Sequence, residues 1–129
     1  MSYITGNDLD KDLYSTLQLA ITPIQVYNGV GQNKSYPYVT MGDNIENTEN
    51  TLNRFGRDTL ITIHVWSNYQ GNKEINEIAQ QILEALDNQD INTSDKYKSI
   101  SLFYEDSFVI KESSIRHGVI RFRLKTQEK

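Results

Sequence analysis

Apolar residues recur at Leu9, Leu13, Leu17 and Ile21, with Ala20 beside them and Asn7-Asp8 just ahead. Spacing of four, with acids at the positive end of the helix dipole, predicts an amphipathic helix, and Pro23 ends it. Ile24 to Tyr27 then reads as a short extended run closed by the turn signal Asn28-Gly29. The next strand is Pro37-Tyr38-Val39-Thr40-Met41, with Pro37 at its start, where no ladder donor is lost. From Asp43 to Asn53 the chain offers Asn, Glu and Thr and little to bury. A long mobile loop, about 43–56, is expected there, or two frayed strand extensions.

Thr59 to Trp66 alternates Ile61, Ile63 and Val65 with Thr62, His64 and Trp66. Large or β-branched groups on both faces place it centrally in a sheet. After Asn72, a candidate cap, Ile75, Ile78, Ala79, Ile82, Leu83 and Leu86 fit a helical stripe at every step. A polar stretch, Asp87 to Lys98, leads to a strand from Ile100 to Glu112 with a bulge near Asp106. Ser113-Ser114 turns the chain into a last strand, Gly118 to Thr126. Its Ile120, Phe122 and Leu124 face inward, and Arg121, Arg123 and Lys125 face outward. The order of elements implies an α+β fold: a mainly antiparallel sheet of four to five strands packed by two helices, one domain over residues 1–129.

Composition narrows the function classes. Thirteen basic and seventeen acidic side chains leave a net charge of −4. That balance opposes a dedicated nucleic-acid binder, which needs a concentrated positive field. Cysteine is absent, which removes disulfides, thiol catalysis and thiolate metal sites together. No apolar run has the length of a signal peptide or a membrane span, so the chain is expected to be unsecreted and to have no membrane partner.

Candidate chemistry is sparse. His64 and His117 are the two histidines, and neither has a second ligand at metal spacing. His64 reads as a packed strand histidine, and His117 as a turn histidine beside Gly118. The stretch from Asn28 to Ser35 echoes a phosphate-binding loop but lacks its first and last glycines, and Tyr36-Pro37 turns the chain away from a following helix. No carboxylate pair stands out for general acid–base work. No cofactor, metal or catalytic residue is assigned, and no enzyme is expected.

The stripe Arg121, Arg123 and Lys125 falls on one sheet face, with Arg116 and Arg57 as possible neighbours. A solvated strand face and a docking surface for an acidic partner compete for it. DNA ranks third, because no stacking aromatics interleave the stripe. Eight tyrosines suit either protein interfaces or core-edge packing.

Three segments carry a resemblance: Tyr36-Pro37-Tyr38-Val39-Thr40-Met41-Gly42; then Ile63-His64-Val65-Trp66-Ser67 with Gly71 and the helix after it; then Arg116-His117-Gly118-Val119-Ile120-Arg121-Phe122-Arg123. In this order and spacing the chain resembles the small tail-completion proteins of siphophages and prophages, from its first helix to Thr126. The resemblance implies a fold similar to phage tail terminators and a ring, hexameric in that family, that caps the head-proximal end of the tail tube. It implies a virion protein made in the bacterial host cytoplasm, with further copies of itself, the tail tube protein and head-tail connector or adaptor proteins as partners. It carries no catalytic motif. Within it, Pro37 and Tyr38 set a strand, and Gly118 permits a tight turn before the last one.

A ring of heterologous contacts needs two complementary patches per subunit. The acidic segment with Asp43, Glu46 and Glu49 is the expected counterpart of Arg57, Arg116, Arg121, Arg123 and Lys125. Alternatives stay open: a head-completion adaptor on the portal side, a small-ligand-binding domain or uncharacterised enzyme, and a nucleic-acid-binding module.

Overall fold

The structure, a computed structural model, describes residues 6–28, 35–50, 55–91 and 97–128. Helix α1 (Gly6–Ile21) is followed by strands β1 (Gln25–Asn28), β2 (Tyr38–Thr48) and β3 (Gly56–Ser67). Helix α2 (Lys73–Leu86) and strands β4 (Tyr97–Glu112) and β5 (Ile115–Glu128) complete the chain. The strands form one sheet in the order β1-β2-β3-β5-β4, parallel between β1 and β2 and antiparallel elsewhere. The α+β layering and two-helix count follow the hydrophobic pattern. β3 is the central strand, as its two-sided composition requires.

Both helices cover the same face. Leu9, Leu13, Leu17 and Ile21 of α1 and Ile75, Ile78, Ile82 and Leu86 of α2 are buried against it. Opposite them stand Val39 and Met41 of β2, Ile61, Ile63 and Val65 of β3, Ile120, Phe122 and Leu124 of β5, and Leu102 of β4. Each such side chain stabilises the fold by about 1.5–3 kcal/mol relative to exposure, which fixes this face against the helices. At the end of α2, the Asp87 N–H donates to the Leu83 carbonyl, and the Asp87 carboxylate accepts the Tyr104 N–H at 2.8 Å. The Asn88 N–H donates to the Leu102 carbonyl at 2.7 Å, so α2 is tied directly to β4. Asn72 sits at the N-cap, yet only its backbone carbonyl helps, accepting the Asn76 N–H.

Several expectations change. Asp43–Thr48 is strand, not loop: β2 continues past a bulge between Gly42 and Ile45 and pairs through Thr48↔Arg57. This is the strand-extension reading. The bulge is held by side chains, with Asn44 Oδ1 accepting the Thr62 N–H and the Asp43 carbonyl accepting the Thr62 hydroxyl. Asp43 takes a positive φ of 58°, which a short polar side chain tolerates. Of the connection that follows, 51–54 lie outside the described residues, as do 29–34 of the phosphate-loop echo and the Gly29 of the turn signal.

Gly118 is not in a turn. The turn falls at Ser113-Ser114, and Gly118 lies within β5, between Val65 and Val109. A Cβ there would meet Ile75 Cγ2 at 2.8 Å, so glycine lets α2 approach the sheet. His117 is accordingly a strand residue as well.

Candidate interaction face

Strand alternation sends a second set of side chains to the face that no helix covers. Across it, the register aligns Tyr38 of β2, Trp66 of β3 and His117 of β5 in one row. Their rings stack face to face along the row: Tyr38 on Trp66 with centroids 6.1 Å apart, Trp66 on His117 at 3.8 Å and nearly parallel. Tyr27 and Tyr36 close the β1 end against Tyr38. Burial first, then the neighbouring phenols Tyr36 and Tyr27, push the Tyr38 hydroxyl above its ordinary pKa. The Trp66 indole N–H donates to Thr40 Oγ1 at 3.1 Å. Tyr38 and His117 both stack on Trp66, so the rings of this row pack on one another.

Beside this row His64 and His117 meet, with Nδ1 of His64 2.7 Å from Nε2 of His117. His64 Nε2 lies 3.1 Å from the Asp43 carboxylate. His117 Nδ1 is 3.6 Å from Glu112, within ion-pair range but too long for a hydrogen bond, and it is buried without another partner. Burial, then the adjacent His64, hold His117 below its ordinary pKa, although Glu112 pulls the other way. Thr40, Asp43, His64, Trp66 and His117 border a shallow concavity of about 310 Å³. Among the described residues, no group of three or more His, Cys, Asp or Glu is arranged to hold a metal ion.

Further along the face the charges pair. Arg121 grips Asp106 with two hydrogen bonds of 2.6 Å. That guanidinium holds the Asp106 carboxyl below the usual carboxylate range, and Arg121 is raised in turn by the same bond. Arg123 bridges Asp58 at 2.9 Å and Glu105 at 3.0 Å, which raise its own pKa, Glu105 foremost. Lys125 reaches Glu49 at 3.0 Å and is raised by it.

The sequence-based site residues therefore divide. Arg121, Arg123 and Lys125 do share the helix-free face. Arg57 and Arg116 do not join them: strand register puts both on the helix side. Arg57 is only 5% exposed, lying 5.4 Å over the Tyr97 ring with Glu46 at 3.8 Å. Glu46 thus belongs to that side too, while Asp43 faces His64 on the open side. The acidic segment and the basic stripe are also not simply opposed patches kept for different subunits, since Glu49 already binds Lys125 within one chain.

Two features escaped the sequence reading. The imidazole pair joins residues 53 apart, and its carboxylate lies another strand away, so only sheet register reveals it. The second is the exposure of β4. Ile100, Phe103, Tyr104, Phe108, Val109 and Ile110 are all exposed, although their pattern looks like an ordinary strand. The signal available was the run Phe108-Val109-Ile110, apolar at consecutive positions close to a turn.

Comparison with known proteins finds similarity by family profile, by sequence and by structure. The profile of the family described as Tail completion protein gp17 matches residues 14–127. Tail completion protein gp17 of Bacillus phage SPP1 is 28% identical, over 77% of this chain and 74% of its own. Among solved structures, a chain from the virion of a native gene transfer agent particle superposes with a TM-score of 0.82 at 18% identity, covering 98% of this chain and 99% of that one. At that identity the last match speaks for the fold alone.

Proposed function

Because this chain belongs to the tail completion protein gp17 family and so has a structural, tail-completing role in the virion, we propose that it caps the head-proximal end of the tail tube and joins the tail to the head connector as a hexameric ring. The whole chain, 1–129, acts as one unit in this reading. Its partners are further copies of itself, the tail tube protein and the connector proteins of the head.

The observation that supports a ring contact is the concentration of exposed apolar side chains on β4. Edge strands present unpaired backbone groups to any other strand, and exposed apolar edges are normally avoided unless something covers them. Here the edge is blunted at Leu102 and Tyr104, where Asn88 and Asp87 occupy the backbone groups. The segment from Asp106 to Glu112, with Phe108, Val109 and Ile110, is assigned as one half of a heterologous subunit contact. Arg121 borders it on the helix-free face, and Asp43, Glu49, Arg123 and Lys125 lie farther along that face. Their charges are paired within the chain, so they are assigned to orientation and specificity more than to attraction.

Deleting the gene and imaging the lysate by electron microscopy tests the role. DNA-filled heads lying apart from tails of irregular length are expected; intact infectious virions would overturn the neck assignment. Complementation with Phe108→Ser/Ile110→Ser tests the surface. Both side chains are about half exposed, so a circular-dichroism melt lowered by only a few degrees with the fold retained is expected, together with unjoined heads and tails. Full rescue by that variant would remove β4 from the interface and leave the neck assignment standing.

A further inference from the structure

We propose that His64 and His117 form a proton relay across the sheet, in which a proton accepted at the β4–β5 hairpin places its positive charge at the β2 bulge. The hydrogen-bond geometry dictates the states. The Asp43 carboxylate can only accept, so His64 Nε2 carries a proton. Neutral His64 then offers a lone pair at Nδ1, and His117 Nε2–H donates to it across 2.7 Å. Neutral His117 is left with a bare Nδ1, buried and without a hydrogen-bond partner.

One added proton resolves this arrangement. It binds at His117 Nδ1, facing the half-exposed Glu112 carboxylate 3.6 Å away. The Nε2–H bond of His117 breaks as its proton passes to His64 Nδ1, forming an N–H there. His64 ends as an imidazolium against Asp43, and His117 ends neutral as the opposite tautomer, donating toward Glu112. Every ring nitrogen then has a partner once Glu112 closes the 3.6 Å gap to Nδ1. Burial disfavours charge on His117, which keeps the charge on His64, beside the carboxylate that hydrogen-bonds it. A second proton binds only at lower pH, because two imidazolium rings in contact repel.

The surroundings allow this assignment. From β2 the groups facing the pair are Thr40 and Asp43; from β3, Thr62 and Trp66; from β4, Ile110 and Glu112. The next charge along β5 on this face, Arg121, is held by Asp106. Acid therefore draws Glu112 onto the sheet and strengthens the hold on Asp43 at the bulge, linking hairpin and bulge within one chain. No ring is needed for this linkage.

Long-range ¹H–¹⁵N spectra of the full-length protein, recorded from about pH 8 to 5, the range over which imidazole titrates, test it. With two histidines in the chain, one ring should become imidazolium while the other exchanges its Nε2–H tautomer for Nδ1–H, at one shared midpoint. Glu112→Gln keeps the shape but removes the accepting charge. It should lower that midpoint by roughly half to one unit, a reduced effect for a half-exposed carboxylate. Asp43→Asn, tolerated at positive φ, should lower it further. Both rings becoming imidazolium independently, or His117 retaining Nε2–H throughout, would overturn the relay. So would a midpoint indifferent to Glu112→Gln.

Discussion

Gly118→Ala is the sharpest test of how the sheet receives α2. The new Cβ would sit 2.8 Å from Ile75 Cγ2, with Val65 Cβ at 3.7 Å and Ile75 Cδ1 at 3.8 Å. Ile75 is 2% exposed in the first turn of α2, and its branched Cβ limits it to few rotamers, so it cannot swing away. Overpacking a full core costs about 1–3 kcal/mol. Replacing a strand glycine recovers about 0.5–1 kcal/mol of backbone entropy, leaving a net loss of about 0.5–2 kcal/mol. For 129 residues the unfolding entropy is about 0.27 kcal/mol/K, so Tm should fall by about 2–7 °C. Ile75→Leu removes the offending Cγ2 while keeping volume. In a double-mutant cycle followed by thermal melting, Gly118→Ala should cost markedly less on the Ile75→Leu background. An alanine variant that melts with the wild type, or a cost unchanged by Ile75→Leu, would refute the close-approach reading.

Other expectations concern charge and buried polarity. Asp106 is held below its usual value by Arg121, so the pair's contribution is fully present above the ordinary Asp pKa of about 4 and fades as pH falls through the lower folded value. Melting curves of wild type and Arg121→Met should therefore converge in acid; a constant gap from pH 7 to 2 would contradict this. The Thr59 hydroxyl is buried with no hydrogen-bond partner, so Thr59→Val should raise stability by about 1 kcal/mol in urea unfolding. A loss of stability would mean that the hydroxyl has a partner, such as a bound water.

Much of the fold was legible because the helices, β3 and β5 each declare a buried stripe. The two helices needed only the spacing of Leu9 to Ile21 and of Ile75 to Leu86. The β4 bulge appeared near Asp106, where the register shifts between Tyr104 and Asp106. The polar half of β2 was not settled in the sequence, because its pairing rests on backbone bonds and on Asn44 and Asp43 bridging to Thr62 instead of on buried apolar groups. Gly118 was misplaced for a related reason: glycine marks both tight turns and close approaches, and only the position of α2 tells them apart.

Local chemistry determined this protein's layering: period 3.6 and period 2 stripes, a proline stop and the turn at Ser113-Ser114 depend on neighbours in the chain. Sheet order depends on partners far along it. Placing β5 between β3 and β4 gave Arg121 and Arg123 their acids, moved Arg57 and Arg116 to the other face and set His117 against His64. A one-residue slip in that register would have exchanged the faces of every one of these groups, and nothing short of the packed core holds it in place.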